Sequence, residues 1–447
     1  MRITLSEPKK FSKVFEKVIG TTLVKNISGI STDSRECVAG DLYLAIRGEK
    51  VDGHQFVEEA QINGALAALV SEPVNKSGEI QQIVAENPIK SIGKVSYVWR
   101  KQFNIPVIGI TGSNGKTTTK ELLRHILSSK YIVHATKGNF NTSIGVPLTL
   151  LQMQDNQNFS IIEMGANQPG DIKTLCQIVE PTDGLITNIA PAHLEGFVTI
   201  ENIAMEKSEL FKNLANGTAF KNISDEWIKI FSTNTKSITY GFSNECDFYA
   251  DFHRESNGNI TLKINDIELS TNSQNIVFAK NVLAASSVAR SFGIEWTEIQ
   301  ERVISFSPTY GRGVVRKYDS ITVIDDTYNA NYNSTLAAIE NLAQFPIRGR
   351  RIFVFGDMAE LGNDSKKYHE KIGEECLENN LDAVFTVGTQ TRITDIALDP
   401  LKYHKHFQNK EQLSKELINF LQNGDIVLFK GSRSMEMEKV IHEVFKN

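Results

Sequence analysis

Cysteine is scarce in this sequence, and long hydrophobic runs are absent. The four cysteines are far apart and none belongs to a Cys-x-x-Cys pair, which argues against a disulfide framework or a zinc site and fits a reducing cytosol. No apolar run approaches the roughly 18 residues of a membrane-spanning helix, and the stretch Met1 to Lys10 lacks the apolar core of a signal peptide. We therefore expect a cytoplasmic protein without a membrane partner.

An excess of charge of one sign is also missing. A total of 48 lysines and arginines oppose 53 aspartates and glutamates, for a net charge of −5, so the composition gives no reason to expect a nucleic-acid partner. No Gly-x-Gly-x-x-Gly fingerprint occurs, which counts against a dehydrogenase. The 40% hydrophobic and 23% charged residues are typical of a globular protein. At about 150 residues per domain, a chain of 447 residues favours three domains.

The segment Pro106–Thr119 has the pattern of a phosphate-binding loop. The apolar run Val107–Ile110 predicts a buried strand, a glycine-rich turn follows, and we expect a helix to begin at Lys116. The glycines are spaced Gly109-x-x-Gly112-x-x-Gly115 and are followed by Lys-Thr-Thr. This spacing is shorter than in the strict Walker A motif, but Gly-Lys-Thr-Thr after an apolar strand still indicates a nucleoside triphosphate site.

The residue types of this loop suit phosphate and Mg²⁺. Gly112 and Gly115 let backbone N–H groups point inward, the helix N-terminus adds partial positive charge, and Lys116 adds a full one. The Thr117 hydroxyl can take a place on Mg²⁺. We expect the nucleotide to be contacted by Gly109, Ile110, Thr111, Gly112, Ser113, Asn114, Gly115, Lys116, Thr117 and Thr118.

Strand-like and helix-like patterns alternate and predict an α/β protein with three domains. Residues 1–100 contain short β-like runs without a phosphate loop and predict a small α/β N-terminal domain. Residues 101–309 predict a central P-loop domain with a parallel sheet, β-rich between 215 and 275. Residues 310–447 alternate four strands with helices and predict a Rossmann-like C-terminal domain.

Two side chains are expected at the sheet edge that carries the phosphate loop. Glu163 ends the apolar strand Phe159–Gly165, where a carboxylate is either a surface cap or, beside a nucleotide, a ligand of Mg²⁺. His193 lies on the loop after the strand Asp183–Ile189, where it is either solvated or a metal ligand.

Lys207 interrupts the apolar face of a predicted helix from Ile200 to Leu214. A lysine on such a face must snorkel to solvent, pair with a carboxylate or lose its charge. A neutral amine could react with CO₂ to give a carbamate able to bind a second Mg²⁺. The flanking apolar positions of the helix are Ile200, Ile203, Ala204, Leu210, Phe211 and Leu214.

Asn281 lies near the start of an Ala-rich helix predicted from Val277 to Phe292. An asparagine there could cap the helix or read the edge of a nucleotide base, and capping is the default expectation.

Polar residues follow three of the four C-terminal strands. Because open α/β sheets bind ligands at the carboxyl ends of their strands, these clusters predict a site shared with the central domain. The clusters are Asp325, Asp326, Asn329 and Asn331; Asp357 and Glu360; and Lys430, Ser432 and Arg433.

Taken together, these segments resemble the Mur ligase family over nearly the whole chain. The loop Thr111-Gly-Ser-Asn-Gly-Lys-Thr-Thr-Thr119 with Glu163, His193 and Lys207 resembles what the superfamily shares. Other segments are similar to the members that add a D-alanyl-D-alanine dipeptide. They are Asp33-Ser-Arg35, Asp52-Gly-His54, Lys137-Gly-Asn-Phe-Asn-Thr-Ser-Ile-Gly-Val-Pro147, Asp325-Asp-Thr-Tyr-Asn-Ala-Asn331, Gly356-Asp-Met-Ala-Glu-Leu-Gly362 and Lys430-Gly-Ser-Arg433.

The resemblance implies an ATP-dependent ligase that forms an amide bond through an acyl phosphate. The expected substrates are UDP-N-acetylmuramoyl-tripeptide and D-alanyl-D-alanine, and the expected cofactors are ATP and two Mg²⁺ ions. The implied catalytic residues are Lys116, Glu163, His193 and Lys207, and the implied metal ligands are Thr117, Glu163, His193 and a carbamylated Lys207.

Further roles follow from the same resemblance. Asn281 is expected to contact adenine, and Asp326, Asn329 and Asn331 the nucleotide from the third domain. The substrate-binding residues are expected to be Ser34, Arg35, Asn139, Asn141, Thr142, Ser143, Lys430, Ser432 and Arg433. We expect the protein to act as a monomer.

The chain departs from the family pattern at three places, and rival functions remain. Tyr332 follows Asn331 where the family usually has proline, Thr142 replaces the second of two asparagines, and Asn275–Lys280 replaces the usual lead-in to Asn281. A sister ligase that adds a single amino acid, a folylpolyglutamate synthase and a nucleotide-dependent binding protein are the alternatives. The Asp-Asn-Pro-Arg string of the diaminopimelate-adding enzyme is absent.

Overall fold

The computed structural model describes residues 1–48, 51–75, 78–346 and 349–446. Within these ranges the chain forms three successive sheets, each built from its own stretch of sequence. No helix in this part of the chain is long and apolar enough to cross a membrane. The α/β class with three sheet-containing units is confirmed.

The N-terminal sheet has the order β1-β2-β3-β4-β5, with β1 antiparallel and the others parallel. Its last helix begins with Pro88 at its first position, and the Asn87 side chain accepts the N–H of Lys90 as a cap. The elements are β1 (Arg2–Thr4), α1 (Pro8–Ile19), β2 (Gly29–Ser31), β3 (Asp41–Leu44), α2 (Val57–Ile62), β4 (Ala67–Val70), β5 (Gln81–Val84) and α3 (Pro88–Arg100).

The central sheet has the order β14-β13-β12-β11-β10-β9-β6-β8-β7. Strands β7 to β12 with β6 are parallel, and the β-rich stretch ends in the antiparallel strands β13 and β14. The elements are β6 (Val107–Thr111), α4 (Lys116–Leu127), β7 (Val133–Ala135), α5 (Gly145–Leu150), β8 (Phe159–Glu163), α6 (Asp171–Val179), β9 (Asp183–Ile186), α7 (Leu194–Phe197), α8 (Ile200–Lys212), β10 (Thr218–Asn222), α9 (Glu226–Lys229), β11 (Lys236–Gly241), β12 (Phe248–Arg254), β13 (Ile260–Ile264), β14 (Ile267–Ser270), α10 (Ile276–Ser291) and α11 (Trp296–Ser305).

The C-terminal sheet has the order β15-β16-β20-β17-β18-β19, with only β15 antiparallel among the described strands. This is the expected Rossmann-like arrangement. The elements are β15 (Val314–Tyr318), β16 (Ile321–Asp326), α12 (Tyr332–Ala343), β17 (Arg351–Gly356), α13 (Ser365–Glu378), β18 (Ala383–Val387), α14 (Thr391–Ala397), β19 (His404–Phe407), α15 (Lys410–Phe420), β20 (Ile426–Lys430) and α16 (Glu438–Val444).

The register of the central sheet sets the site. Strand β6 lies between β8 and β9, and Ile110 pairs with Glu163 on one side while Thr111 pairs with Ile186 on the other. The carboxyl ends of these three strands therefore meet at one edge, where the phosphate loop, Glu163 and the loop that carries His193 all begin. All five residues of β6 and of β8 are buried, as expected for parallel strands covered on both faces.

The first two units are joined through helix α3. This helix packs on α1 of its own unit and on α5 and α6 of the central unit. At its end the Arg100 guanidinium donates hydrogen bonds to the carbonyl oxygens of Phe103 (2.7 Å) and Val179 (3.1 Å). The division into domains at 1–100, 101–309 and 310–447 stays a prediction, although the sheets follow the same order.

Candidate active site

A cavity of about 720 Å³ lies between the central sheet and the C-terminal sheet. It brings together residues that are more than 300 positions apart in the sequence. The sequence-predicted residues that line it are Ser113, Asn114, Gly115, Lys116, Thr117, Thr118, Asn141, Thr142, Glu163, His193, Asn281, Asp326, Asn329, Asn331 and Lys430.

The phosphate loop presents its backbone toward this cavity. Gly115 precedes α4 in the left-handed region (φ 80°), and the helix start carries no side-chain cap among the described residues, so its first N–H groups are available to an anion. A Cβ on Gly115 would lie 2.6 Å from Asn281 Oδ1, which explains the requirement for glycine. The Lys116 ammonium folds over the loop and donates to the carbonyl oxygen of Gly112 (2.6 Å). Burial lowers the pKa of Lys116, and nearby Glu163 opposes this effect.

The loop is fixed by the end of the neighbouring strand β9. The Thr187 hydroxyl donates to the carbonyl oxygen of Asn114 (2.6 Å), and the Asn114 N–H donates to Asn188 Oδ1 (3.0 Å). The Ser113 hydroxyl donates to the carbonyl oxygen of Ala190 (2.8 Å). These contacts hold the phosphate loop against the segment that follows β9.

Gly109 and Ile110 lie inside strand β6 rather than in the loop. Both are buried, and neither is among the cavity-lining residues of the described chain. A Cβ on Gly109 would lie 2.9 Å from Leu210 of α8. This glycine therefore permits the close approach of α8 to the sheet, a packing role that the loop pattern did not indicate.

Glu163 is held by contacts from three separate segments of the central unit. Its Oε1 accepts from the Thr117 hydroxyl (3.0 Å) and the Asn141 amide (2.8 Å). Its backbone N–H donates to Thr136 Oγ1 (3.0 Å). Its Oε2 is buried and accepts no hydrogen bond from the residues that the structure describes, although the Lys120 ammonium lies 3.5 Å away. The surface-cap alternative is thereby excluded for Glu163.

Lys120 is a functional candidate that the sequence reasoning missed. Its side chain is fully buried, and its ammonium donates to the carbonyl oxygen of Thr136 (2.6 Å) and pairs with Glu121 (3.0 Å). It lies four residues after Lys116 on α4, so both lysines share one helix face. That spacing was the signal available in the sequence.

The residues around Glu163 suit Mg²⁺ bound together with nucleotide phosphates. No three His, Cys, Asp or Glu side chains of the described chain converge into a ready-made metal cage. Mg²⁺ usually keeps several waters and takes one or two carboxylates together with substrate phosphates. The buried Glu163 Oε2 without a hydrogen bond, next to the Thr117 hydroxyl, fits such a site.

His193 stands at the boundary between the two sheets. It has a left-handed backbone (φ 53°) and directly precedes α7. Its Nδ1 contacts the carboxylate of Glu360, which belongs to the C-terminal unit. The ring also lines the cavity, so His193 is not simply solvated.

Lys207 is buried, with 3% of its surface exposed, which excludes snorkelling. Within the described part of the chain its ammonium has no carboxylate in salt-bridge distance: its neighbour Glu206 instead accepts the backbone N–H groups of Gly170 (2.7 Å) and Ile172 (2.5 Å). Burial lowers the pKa of Lys207 to about 7, and the charge of Lys116 adds to this effect. A large neutral fraction is therefore present near neutral pH.

The capping expectation for Asn281 is wrong, because Asn275 caps α10 by accepting the N–H of Val277 (2.8 Å). Asn281 lies further along the helix and faces the phosphate loop, where its Oδ1 accepts from the Thr119 hydroxyl (3.3 Å). Asn275, in the segment that departs from the family pattern, therefore caps the helix in place of Asn281.

Two groups of hydrogen bonds position residues of the C-terminal unit at the cavity. The amides of Asn331 and Asn114 bond each other, at 2.7 Å from Asn331 Nδ2 to Asn114 Oδ1. The buried Lys430 ammonium donates to Asp326 Oδ2 (2.5 Å) and to the carbonyl oxygen of Asn329 (3.0 Å). Lys430 therefore fixes the loop that carries the other three residues.

Arg312 is a second candidate that the sequence reasoning did not select. Its guanidinium lies 3.9 Å from the centre of the Tyr328 ring and donates to Thr117 Oγ1 (3.1 Å). It is a cation beside the phosphate loop, presented from the segment that connects two units. In the sequence, the position of Arg312 between Gly311 and Gly313 could have identified it as a candidate.

The remaining predicted residues lie away from the cavity lining. Ser34 donates to Glu59 (2.5 Å), and Arg35, 78% exposed, pairs with Asp33 (2.7 Å) in the N-terminal unit. Asn139 and Ser143 are exposed. Ser432 accepts from the N–H of Ala359 (2.6 Å), and Arg433 pairs with Glu438 (2.8 Å). Thr111 and Gly112 are buried at the end of β6.

Family models match three consecutive parts of the chain. Residues 26–111 match the Mur ligase family catalytic domain, residues 110–289 the Mur ligase middle domain, and residues 311–433 the Mur ligase glutamate ligase domain. Together these matches cover the three sheets in order.

Whole-chain relatives are also found. The UDP-N-acetylmuramoyl-tripeptide–D-alanyl-D-alanine ligase of Haemophilus influenzae is 34% identical over 96% of this chain and 95% of its own length. The ligase of the same name from Escherichia coli is 33% identical over 94% of each chain.

Solved structures give the same result. The crystal structure of MurF from Acinetobacter baumannii has a TM-score of 0.89 at 28% identity, over 98% of both chains. The MurF ligase from Thermotoga maritima in complex with ADP has a TM-score of 0.83 at 30% identity, over 93% of this chain and 97% of that one. The sequence, the site and the fold thus agree that this chain belongs to the Mur ligase family.

Proposed function

We propose that this chain is an ATP-dependent ligase that adds D-alanyl-D-alanine to UDP-N-acetylmuramoyl-tripeptide in peptidoglycan precursor synthesis. The products are UDP-N-acetylmuramoyl-pentapeptide, ADP and phosphate. The observation that carries the proposal is the cavity in which a phosphate loop and a strand-end carboxylate face the Asp326–Lys430 pair of another unit. Relatives named for this activity match along almost the whole chain.

The reaction has two chemical steps. A carboxylate oxygen of the tripeptide attacks the γ-phosphorus, the bond to the ADP oxygen breaks, and an acyl phosphate forms. The amine of D-alanyl-D-alanine then attacks the acyl carbon, loses a proton, and expels phosphate. In such phosphoryl transfers the protein acts mainly by positioning and by neutralising charge. The loop N–H groups, Lys116 and Arg312 are the cationic or N–H-bearing groups available for this.

Thr117, Glu163, His193 and a carbamylated Lys207 are the residues that would hold Mg²⁺. When bound, Mg²⁺ neutralises phosphate charge and so favours attack by an anionic carboxylate. Glu163 supports this role best, because its Oε1 is already oriented by Thr117 and Asn141.

Carbamylation of Lys207 is part of the proposal. The neutral amine attacks CO₂, forms an N–C bond and releases one proton, which leaves an anionic carbamate. Complete burial and a pKa near 7 favour the reactive neutral form. The change replaces a buried neutral amine near Lys116 with an anion, which would be attracted to the Lys116 ammonium and to Mg²⁺.

The substrates are distributed over the three units in this proposal. Asn281, Asp326, Asn329 and Asn331 contact ATP. The loop with Asn139, Asn141, Thr142 and Ser143 faces the muramoyl-peptide, and Ser34 and Arg35 hold the UDP end. Lys430, Ser432 and Arg433 lie on the side of the dipeptide. We further infer that the protein acts as a monomer in the cytoplasm, where these nucleotide-linked substrates are made.

Phosphate release with ATP and Mg²⁺ tests the function. UDP-N-acetylmuramoyl-tripeptide and D-alanyl-D-alanine are supplied separately and together, and the products are weighed by mass spectrometry. We expect release only with both present, together with the pentapeptide product. Release with the dipeptide precursor and a single amino acid would instead assign the chain to the preceding ligation step, and release without either substrate would contradict a ligase.

A further inference from the structure

One loop of the C-terminal unit contacts the metal-site histidine of the central unit. The loop, residues 357–362 between β17 and α13, is here called the acidic loop. The carboxylate of its Glu360 meets Nδ1 of His193, and the carbonyl oxygen of Glu360 accepts the N–H of Glu195 (3.1 Å). The side-chain and main-chain contacts together join this loop to the start of α7.

The contact sets the orientation of the His193 ring. Nδ1 faces the Glu360 carboxylate at ion-pair distance, although the geometry of the pair is not that of a hydrogen bond. Because the ring lines the cavity, Nε2 is the nitrogen left to face a metal ion there.

The acidic loop is itself firmly held within the C-terminal unit. The N–H of Met358 donates to Nε2 of the buried His369 (3.1 Å), whose Nδ1 donates to the carbonyl oxygen of Ser365 (2.8 Å). The N–H of Ala359 donates to the hydroxyl of Ser432 (2.6 Å). Glu360 therefore moves with the C-terminal unit as a whole, and its contact to His193 forms only when the two units are together.

We propose that Glu360 is a positioning residue that orients the His193 ring through this contact, so that docking of the C-terminal unit completes the Mg²⁺ site of the central unit. The inference rests on the proposed function, which makes His193 a metal ligand. Metal-binding histidines are commonly oriented by a carboxylate on their other nitrogen, and loss of that partner typically costs about 10- to 100-fold in metal affinity or activity. Here that partner comes from a different unit.

Binding of Mn²⁺ tests the proposal without catalysis. The full-length protein with a non-hydrolysable ATP analogue is titrated with Mn²⁺, and free Mn²⁺ is followed by electron paramagnetic resonance. Glu360→Ala is compared with Glu360→Gln, which retains an oxygen acceptor for Nδ1 but no charge. Glu195→Gln is the matched control, because it removes a neighbouring exposed carboxylate, whereas the ion pair recorded for His193 among the described residues is with Glu360.

We expect Glu360→Ala to weaken Mn²⁺ binding by about 10- to 100-fold, Glu360→Gln to give a smaller loss, and Glu195→Gln to bind as the parent does. His193→Ala should lose as much as Glu360→Ala, and the double variant no more than either. Wild-type affinity in Glu360→Ala while His193→Ala is weakened would overturn the proposal, as would wild-type affinity in His193→Ala.

A kinetic readout separates positioning from general damage. In Glu360→Ala the Mg²⁺ concentration for half-maximal phosphate release should rise, and saturating Mg²⁺ should restore most of kcat. A loss of kcat that Mg²⁺ does not restore would contradict a positioning role. Failure of the proposed function is distinguishable, because wild-type protein would then bind Mn²⁺ as described but make no pentapeptide.

Discussion

The two sides of the cavity are held by different kinds of contact. The central wall, residues 112–118 with Glu163, is fixed within one sheet edge by hydrogen bonds from Thr187 and Asn188, which follow β9, and from Thr136. The C-terminal wall, Asp326, Asn329, Asn331 and Lys430, is stable within itself. It meets the central unit through isolated side-chain contacts, such as Asn331 with Asn114.

This difference assigns different tasks to the two walls. A single hydrogen bond contributes only about 1 kcal/mol net, so contacts between the walls can form and break during a catalytic cycle. Breaking the network of the central wall costs more free energy, because several hydrogen bonds would be lost together. The cradle for phosphate is therefore preformed, whereas we infer that docking of the C-terminal unit completes the site as a whole and keeps water from the acyl phosphate.

The largest expected effect is the loss of unfolding free energy when a buried charge of the central wall is removed. Lys120→Met leaves the buried Glu163 carboxylate without its neighbouring ammonium, and removal of one partner of a buried pair costs about 3–5 kcal/mol of unfolding free energy. Urea denaturation measures the loss. The double variant Lys120→Met/Glu163→Gln should recover part of it, because the buried side chain at position 163 then carries no charge. A cost below about 1 kcal/mol in the single variant would show that this pair does not hold the wall.

Removal of the cation over the phosphate loop should abolish most catalysis while leaving the wall folded. Lys116→Met is expected to lower kcat by about 100- to 1,000-fold, the usual cost of losing one preorganised group that stabilises developing charge. Lys173→Met, on the exposed face of α6, is the matched control and should retain full activity. Steady-state phosphate release measures both. Equal rates in the two variants would contradict the assigned role.

The central unit and the C-terminal unit each contain a buried histidine, so the pH dependence of their stability can be compared. In the central unit His134 accepts from the Ser160 hydroxyl (2.9 Å) and donates to the carbonyl oxygen of Thr149 (3.0 Å), and burial lowers its pKa to about 4. The unfolded chain, with an ordinary pKa near 6.5, binds the proton more readily. The contribution of His134 is therefore complete above pH 6.5 and is lost as the pH falls toward 4.

The size of this loss of stability follows from the difference between the folded and unfolded pKa of His134. At 1.36 kcal/mol per pKa unit, wild-type protein should lose about 3 kcal/mol more than His134→Gln between pH 6.5 and 4. Denaturant titrations at several pH values measure the difference. The pKa of His369 is lowered by burial as well, so His369→Gln should reduce the same loss in the C-terminal unit. Parallel pH profiles for all three proteins would contradict this assignment.

The smallest expected effect concerns the contact between the walls. Asn331→Asp keeps the oxygen that caps α12 through the N–H of Ser334 (2.9 Å) but removes the amide donor to Asn114. We expect unfolding free energy to change by less than about 0.5 kcal/mol. The protein should, however, compact less when an ATP analogue and the tripeptide substrate bind, as measured by small-angle X-ray scattering.

Asn409→Asp is the matched control for this variant, because Asn409 caps α15 in the same way without contacting the central unit. Compaction should be unchanged in the control. Equal compaction in both variants would show that the amide pair does not contribute to docking.

Local patterns predicted the central wall well, because its parts are neighbours in sequence or follow adjacent strands. The strand, predicted over Val107–Ile110 and observed over Val107–Thr111, the glycine turn and the helix from Lys116 could be predicted from residue type and spacing. The stripe around Lys207 correctly placed that lysine on a buried face.

Contacts between distant segments could not be read in the same way. Nothing local distinguishes Glu360 as the partner of His193, or Arg312 as the donor to Thr117, because each pairing depends on how separate sheets dock. The error on Asn281 has a similar cause: two asparagines lie near the helix start, and only the backbone shows which one is the cap.

Isotope transfer tests the central claim most directly. The terminal carboxylate of UDP-N-acetylmuramoyl-tripeptide is labelled with ¹⁸O, and the protein is supplied with ATP, Mg²⁺ and D-alanyl-D-alanine. If a carboxylate oxygen attacks the γ-phosphorus in this cavity, each released phosphate carries one ¹⁸O and the new amide keeps the other. Unlabelled phosphate released alongside the pentapeptide would contradict the acyl-phosphate route.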